Sequence, residues 1–143
     1  MNNILNFTVK GNPKALKRHR HHKFGTYNPS KKDMQDFFLI ASEYKPAKPF
    51  SGRVIATIKF YFKRPKSHYR TGKYSKILKT DAPRQFHSQK PDIDNLIKFV
   101  LDSIQGEDGF ITDDSIVCKI EAYKMWTDKF NPRTEINLLE LQS

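Results

Sequence analysis

The sequence predicts a single small domain of the α/β (α+β) class, in which segments typical of strands alternate with segments typical of helices. Alternating apolar residues indicate strands, and apolar residues three and four positions apart indicate helices. The length of 143 residues is that of one domain. Only 37% of the residues are hydrophobic, but 13% are aromatic, which is enough to fill one interior. We therefore expect residues 1–143 to fold as one unit.

The first half of the chain predicts two strands and one helix. Residues 4–10 alternate loosely before Gly11-Asn12-Pro13, as a short strand does. Ser30 is a candidate N-cap for a core-packing helix with apolar residues at helical spacing, and Pro46 ends that helix. Residues 52–62 alternate clearly, so we expect a half-buried strand. Its inward face would carry Val54, Ala56, Ile58, Phe60 and Phe62.

Two basic segments lack this periodicity. The first, residues 17–29, reads as an irregular loop, and its four cations would repel a metal ion from His19, His21 and His22. The second, residues 64–90, is a long basic loop with aromatic residues interleaved, which suits contact with DNA backbone and bases, although a flexible solvated linker is an alternative. The candidate nucleic-acid contacts are Lys17, Arg18, Arg20, Lys23, Arg64, Lys66, Arg70, Lys73, Lys76, Lys79, Arg84 and Lys90.

Charge is distributed unequally along the chain. The formal net charge of +11 favours a polyanionic partner, either nucleic acid, which we consider first, or an acidic membrane surface. Residues 1–90 carry 21 Lys and Arg against 4 Asp and Glu, whereas residues 91–143 carry 5 against 11. A purely architectural DNA-binding protein has no need for a block of acids, but a metal-dependent phosphodiesterase needs both signs of charge. The distribution therefore indicates a nuclease.

Several classes of protein are not indicated. The chain has neither a signal-peptide pattern nor about 18 consecutive apolar residues, so we expect a soluble cytoplasmic protein without a membrane partner. Cys118 is the single cysteine, which excludes an intramolecular disulfide and a cysteine-based zinc finger. Because Cys118 follows Ile116 and Val117, we expect it to be buried.

The acidic half predicts a helix that begins near Pro91. Apolar residues at 93, 96, 97, 100, 101 and 104 form one stripe, while Asp94, Lys98 and Asp102 follow one another on another face. Asp92 is expected at or just before the N-cap, from which its carboxylate can turn towards Asp94. We expect Asp102 to be structural or to pair with Lys98.

A second acidic pair, Asp113-Asp114, follows a turn at residues 105–109 and precedes a predicted strand at residues 116–126. Taken separately, Asp92 is typical of an N-cap and Asp113-Asp114 of a turn. Taken together beside a basic loop, the acids are expected to converge. Carboxylates without histidine or cysteine ligands suit a hard cation such as Mg²⁺ or Mn²⁺.

The acidic half also resembles a known signature. Residues 90–98 (KPDIDNLIK), then Leu101-Asp102-Ser103-Ile104, Gly109-Phe110 and residues 113–117 (DDSIV) resemble the signature of the RusA family of Holliday junction resolvases. The resemblance implies a small α/β fold with a mixed sheet and two main helices, and a final strand at residues 135–141 is compatible with it.

This resemblance implies a homodimeric, Mg²⁺-dependent endonuclease that introduces paired nicks into four-way DNA junctions. It assigns Asp92 and Asp94 to the D-x-D-N motif, Asp114 to the later acid and Lys98 to the catalytic lysine, with Asp113 as the alternative metal ligand. Two other interpretations remain open: a non-catalytic protein that binds branched DNA, and a metal nuclease of flaps or other structured nucleic acid. The small size suits a bacterial or phage origin.

Overall fold

The computed structural model describes residues 2–17, 20–22, 25–128 and 130–142. Six strands and two α-helices make up the described part of the chain. The strands are β1 (Asn3–Lys10), β2 (Arg20–His22), β3 (Gly25–Tyr27), β4 (Arg53–Lys63), β5 (Val117–Thr127) and β6 (Arg133–Leu141). The helices are α1 (Lys31–Ala41) and α2 (Ile93–Ile104). Short 3₁₀ turns occur at Ser42–Tyr44, Lys66–His68, Gly72–Tyr74 and Asp114–Ile116.

Four strands form a mixed sheet in the order β1-β6-β4-β5. The β1–β6 and β6–β4 pairs are antiparallel, whereas β4 and β5 are parallel. A parallel pair needs a crossover between its strands. Here the crossover contains the basic loop and α2, which together connect the inner strand β4 with the edge strand β5. The mixed sheet and the two helices confirm the predicted fold class.

The core lies between one face of the sheet and the two helices. Val54, Ala56, Ile58 and Phe60 of β4 are fully buried, as their alternation predicts. Leu96, Val100 and Ile104 of α2 pack into the same cluster. From α1, the ring of Phe37 meets Phe99 edge-on with centroids 5.7 Å apart. No helix in the described ranges is long and apolar enough to cross a membrane.

Ser30 is the N-cap residue of α1, as predicted, although its hydroxyl accepts the backbone N–H of Lys17 and forms no capping bond. Two other local expectations are wrong. Residues 17–29 are not wholly irregular, since β2 and β3 pair within them. In α2, Ile93 at the first turn is 38% exposed, and Phe99 is buried in addition to the stripe. The first turn projects beyond the core, and Phe99 is covered by α1.

Cys118 is exposed and not buried as expected. The reason is the position of β5 at the edge of the sheet, where residues 118–121 are all exposed. Edge strands have a neighbour on one side only, so a run of apolar residues does not guarantee their burial. The Cys118 thiol donates a hydrogen bond to the carbonyl oxygen of Ile116 at 3.3 Å.

The turn after α2 is tightly constrained. Gly106 has a φ of +119°, a conformation that residues with a side chain rarely adopt. A Cβ atom at Gly109 would collide with the carbonyl oxygen of Ile104. The backbone N–H of Phe110 donates to that same oxygen at 2.7 Å. This turn therefore places the segment that leads to Asp113 directly beside the C-terminal end of α2.

Candidate active site

Asp92 and Asp94 lie together at the N-terminal end of α2. Asp92 is the N-cap residue, with an extended backbone and no side-chain capping bond, and Asp94 is in the first helical turn. One carboxylate oxygen of Asp94 accepts the backbone N–H of Asn95 at 2.9 Å. Both acids are exposed. Because the Asp92 carboxylate does not cap the helix, it remains available to a ligand in front of the first turn.

Both acids line one open surface groove, which we call the acidic groove. Its other lining residues include Phe86, His87, Tyr123 and Lys124. The ammonium group of Lys124 donates to the carbonyl oxygen of Gln89, so this cation is anchored beside the two acids. The groove thus combines two carboxylates, one fixed cation and aromatic side chains.

One wall of the groove is a segment of the basic loop that pairs with the outer edge of β5. The backbone N–H of His87 donates to the carbonyl oxygen of Lys124, and that of Trp126 donates to the carbonyl oxygen of Gln85, each at 2.9 Å. A bridge between Phe86 and Met125 completes this short pairing. The end of the loop that leads to Asp92 is therefore fixed to the sheet.

His87 is a buried, neutral residue of this wall. Burial, together with the nearby cation of Lys124 and the ring of His68, lowers its pKa to about 4. Its Nδ1 accepts the backbone N–H of Gln89 at 3.1 Å, so the remaining ring proton resides on Nε2. The sequence did not identify His87 as a residue of the site. The one feature of the sequence that pointed to it is that its aromatic ring lies among the cations of the basic loop.

Arg64, expected from the sequence to contact DNA, is buried in the structure, so its contact with DNA stays a prediction that the burial disfavours. Its side chain is buried, with a residue exposure of 8%. The guanidinium donates to the carbonyl oxygens of Pro83 and Arg84 and lies 3.3 Å from Nδ1 of His68. Burial, followed by the cations of Arg64 and Lys79, lowers the pKa of His68. The guanidinium of Arg64 therefore links the start of the basic loop to Pro83 and Arg84 near its end.

The other candidate cations fall into two groups. The exposed ones whose side chains are described are Lys17, Lys66, Arg70, Lys73, Lys76, Lys79, Arg84 and Lys90. Arg18 and Lys23, with His19, lie outside the described residues, as do the side chains of Arg20, His21 and His22. DNA contact by these cations stays a prediction. Lys98 is exposed on α2, one helical turn after Asp94.

Asp113 and Asp114 lie at the other end of α2. The backbone N–H of Asp114 donates to the side chain of Gln105, the C-cap residue of α2, at 2.9 Å. Asp113 accepts the backbone N–H of Ser115 at 3.0 Å, and hydrogen bonds from Ser115, side chain and backbone, lower the pKa of Asp113. Asp113 thereby caps the 3₁₀ turn that leads into β5.

The two acidic pairs do not meet within one chain. The 12 residues of α2 correspond to a helix of about 18 Å, and the pairs lie at its opposite ends. Within the ranges that the structure describes, no group of three or more His, Cys, Asp and Glu side chains is arranged to hold a metal ion. The expected convergence of these acids inside a single chain is therefore wrong.

Asp92 and Asp94 nevertheless fit a magnesium ion by the chemistry of their oxygens. Mg²⁺ is commonly bound by one or two carboxylates, with water and substrate phosphate as its other ligands. Two exposed carboxylates in an open groove meet that description. Mn²⁺ accepts the same oxygen ligands.

Comparison with known proteins gives two matches. The family model described as Endodeoxyribonuclease RusA matches residues 8–139, which is nearly the whole chain. The chain is also similar to a protein of Bacillus subtilis (strain 168) named Uncharacterized protein YqaN, with 29% identity over 97% of this chain and 98% of that protein. Both matches include the acidic groove and the basic loop.

Proposed function

Because this chain belongs to the RusA endodeoxyribonuclease family, we propose that it is a Mg²⁺-dependent endonuclease that resolves four-way (Holliday) DNA junctions by paired nicks. The observation that carries the proposal is the acidic groove, in which Asp92 and Asp94 lie beside Lys124 at the end of a basic loop. Carboxylates repel DNA phosphates, so their exposure on a DNA-binding surface suits a site whose acids bind a cation.

Asp92 and Asp94 would hold the Mg²⁺ ion. When bound, that ion supplies an activated water and offsets the charge that develops on the attacked phosphate. The N-terminal end of α2 would add a favourable field for the same phosphate, because the side chain of Asp92 does not cap the helix.

Lys98 would act on the phosphate or on the leaving oxygen as a positive charge. It lies one turn after Asp94 and is exposed. Lys124, held by Gln89, would orient the DNA backbone at the opposite wall of the groove. The exposed cations of the basic loop would bind neighbouring phosphates without reading the base sequence.

The separation of the acids supports a homodimer with shared sites. Asp114 cannot reach Asp92 and Asp94 of its own chain, but a second copy of the chain can bring its Asp113–Asp114 segment to their groove. A two-fold axis would then form two equivalent sites at once. A four-way junction also has approximate two-fold symmetry, so the two sites would each face one of two strands that are related by that symmetry. We therefore propose that Asp114, or Asp113 beside it, completes the site across the dimer.

Nicking of a synthetic four-way junction in Mg²⁺, compared with a linear duplex of the same sequence, tests this function. We expect paired nicks in the junction and little cleavage of the duplex. A panel with flap and fork substrates separates junction resolution from cleavage of other structured nucleic acids. Absence of nicking on every branched substrate, with either Mg²⁺ or Mn²⁺, would reject the enzymatic role.

One observation favours a second candidate, a non-catalytic protein that binds branched DNA. The acids of a single chain, in the described ranges, do not form a complete metal site. If the chain does not dimerise, only Asp92 and Asp94 remain at the groove. Sedimentation of the free protein and of its junction complex would distinguish the two candidates, because the shared site requires two copies.

A further inference from the structure

A second cavity lies at the end of the sheet where β4 and β5 terminate and β6 begins. We call it the basic cleft, and its lining includes Lys63, Lys66, Tyr69, Arg70, Lys76 and Phe130. Its volume is about 900 Å³, within the range of sites that enclose a small organic ligand. It shares no lining residue with the acidic groove, so it is a separate site.

The charge of the cleft suits a phosphate group. Four exposed cations line it, and Asp128 is the one acid among its described lining residues. That carboxylate already accepts the backbone N–H of Phe130 at 2.9 Å. Arg64 also lines the cleft, but its guanidinium is occupied by the carbonyl oxygens of Pro83 and Arg84.

The aromatic residues of the cleft suit a nucleobase. Phe130 is 83% exposed although it is a large apolar side chain. Tyr69 also lines the cleft. Its backbone N–H donates to the carbonyl oxygen of Lys66, and a β-bridge joins it to Leu78. An exposed aromatic face next to several cations is the arrangement by which proteins bind unpaired bases and their phosphates.

We propose that the basic cleft binds an unpaired DNA nucleotide, whose base stacks on Phe130 and whose phosphates contact Lys66, Arg70 and Lys76. Bases inside a duplex are stacked on both sides, so only an unpaired base can present its face to Phe130. The proposal rests on the proposed function for its choice of DNA, and it adds a site for a strand opened at the branch point.

The test is fluorescence anisotropy with a short labelled single strand and with the duplex of the same sequence, both in EDTA. We expect Phe130→Leu to weaken single-strand binding roughly tenfold and duplex binding less than about twofold. Phe130→Tyr retains an aromatic face and should bind the single strand like the wild type. Melting curves of both variants, compared with that of the wild type, check that the fold is retained.

The charged wall is tested separately. Arg70→Gln combined with Lys76→Gln should weaken single-strand binding and reduce its salt dependence by about two phosphate contacts. Lys45→Gln combined with Lys48→Gln removes the same charge from the exposed connection between α1 and β4, so this matched control should retain more of the affinity.

Wild-type affinity of Phe130→Leu for the single strand, or equal losses for single strand and duplex, would overturn the proposal. Equal salt slopes for the two double variants would overturn the assignment of phosphates to this cleft. These outcomes are independent of catalysis, since no divalent ion is present. Suppose that the wild type never nicks a junction but that Phe130→Leu weakens single-strand binding. The proposed nuclease function would then be rejected, and the proposed nucleotide site in the basic cleft would stand.

Discussion

The imidazole ring of His87 stacks on the indole of Trp126, with centroids 3.9 Å apart and planes inclined by 22°. His68 meets the same indole edge-on at 4.7 Å. One tryptophan of β5 therefore anchors the basic loop at two points, one near each end. Burial, the cation of Lys124 and His68 lower the pKa of His87, so the stacked ring is uncharged near neutral pH.

Burial of His87 should make folding stability depend on pH. The pKa of His87 is about 4 in the folded protein and about 6.5 in an unfolded chain. Between these values the unfolded chain binds more protons, so the free energy of unfolding decreases as pH falls from about 6.5 to 4. His87→Phe retains an aromatic ring without this titration. Urea unfolding at several pH values should show a flatter dependence for His87→Phe, and parallel curves would contradict the assignment.

Asp92→Asn and Asp94→Asn should each reduce junction nicking by on the order of 100-fold or more, because either change removes a metal-binding oxygen. Junction binding in EDTA should be unchanged or tighter, since a carboxylate near phosphate has been neutralised. Nicking and gel-shift assays measure the two effects separately. Asp36→Asn on the outer surface of α1 is the matched control and should nick like the wild type. Substantial nicking by both groove variants would reject the metal role.

Shared sites predict complementation between two inactive chains. A heterodimer of Asp92→Asn with Asp114→Asn contains one fully altered site and one intact site. Co-expressed chains with different affinity tags, purified through both tags, should therefore recover about half of wild-type nicking, mostly as single nicks. If Asp113 is the ligand in place of Asp114, the Asp113→Asn chain complements instead.

The matched control for complementation is the heterodimer of Asp92→Asn with Asp94→Asn. Asp92 and Asp94 belong to the same chain's half of a shared site. Each of the two sites in this heterodimer therefore carries one altered acid, and nicking should stay absent. If nicking recovers neither in the Asp113 pairing nor in the Asp114 pairing, the result contradicts a site built from two chains.

The basic loop predicts opposite consequences for buried and exposed cations. Replacing Lys73, Lys76 and Lys79 together with Gln should weaken binding to every DNA and lower the salt slope by up to about 3, without loss of stability. Replacing Lys31, Lys45 and Lys48 removes equal charge elsewhere and should change the slope less. Salt titrations of duplex and junction binding measure both, and equal slopes would mean that the loop does not contact DNA.

Arg64→Leu, in contrast, should destabilise the fold by about 2 kcal/mol, because it leaves the carbonyl oxygens of Pro83 and Arg84 without their buried donor. Lys66→Leu, two residues away at an exposed position, should change stability by less than about 0.5 kcal/mol. Thermal or urea unfolding compares the two. Equal stability of both variants would show that Arg64 does not hold the loop.

The sequence predicts the fold well where burial follows a regular period. The alternation of β4 and the spacing of Leu96, Val100 and Ile104 are confirmed because each has one face against the core. Strand order is not visible in such patterns. Cys118 was therefore expected inside, although β5 lies at the sheet edge.

The candidate site was predictable in part. Helical spacing placed Asp92 and Asp94 at one end of a helix, and the structure confirms that position. The same helix separates Asp92 and Asp94 from Asp114. The two pairs are only about twenty residues apart in the sequence, but α2 lies between them and places them at its opposite ends. The burial of Arg64 depends on carbonyl oxygens about twenty residues away, and side-chain charge alone pointed instead to DNA.

The crossover from β4 to β5 has a consequence for protein engineering. The segment between Arg64 and Asp92 leaves the sheet at the end of the inner strand β4 and pairs with the edge strand β5 through Gln85 and His87. The register of β1, β6 and β4 depends on bonds that this segment does not share. A designer can therefore exchange the stretch between His68 and Lys79 as a cassette, closed at its base by the backbone bond from Lys79 to His68. Loops of different charge could then be compared on one unchanged framework of β1, β6, β4 and α2.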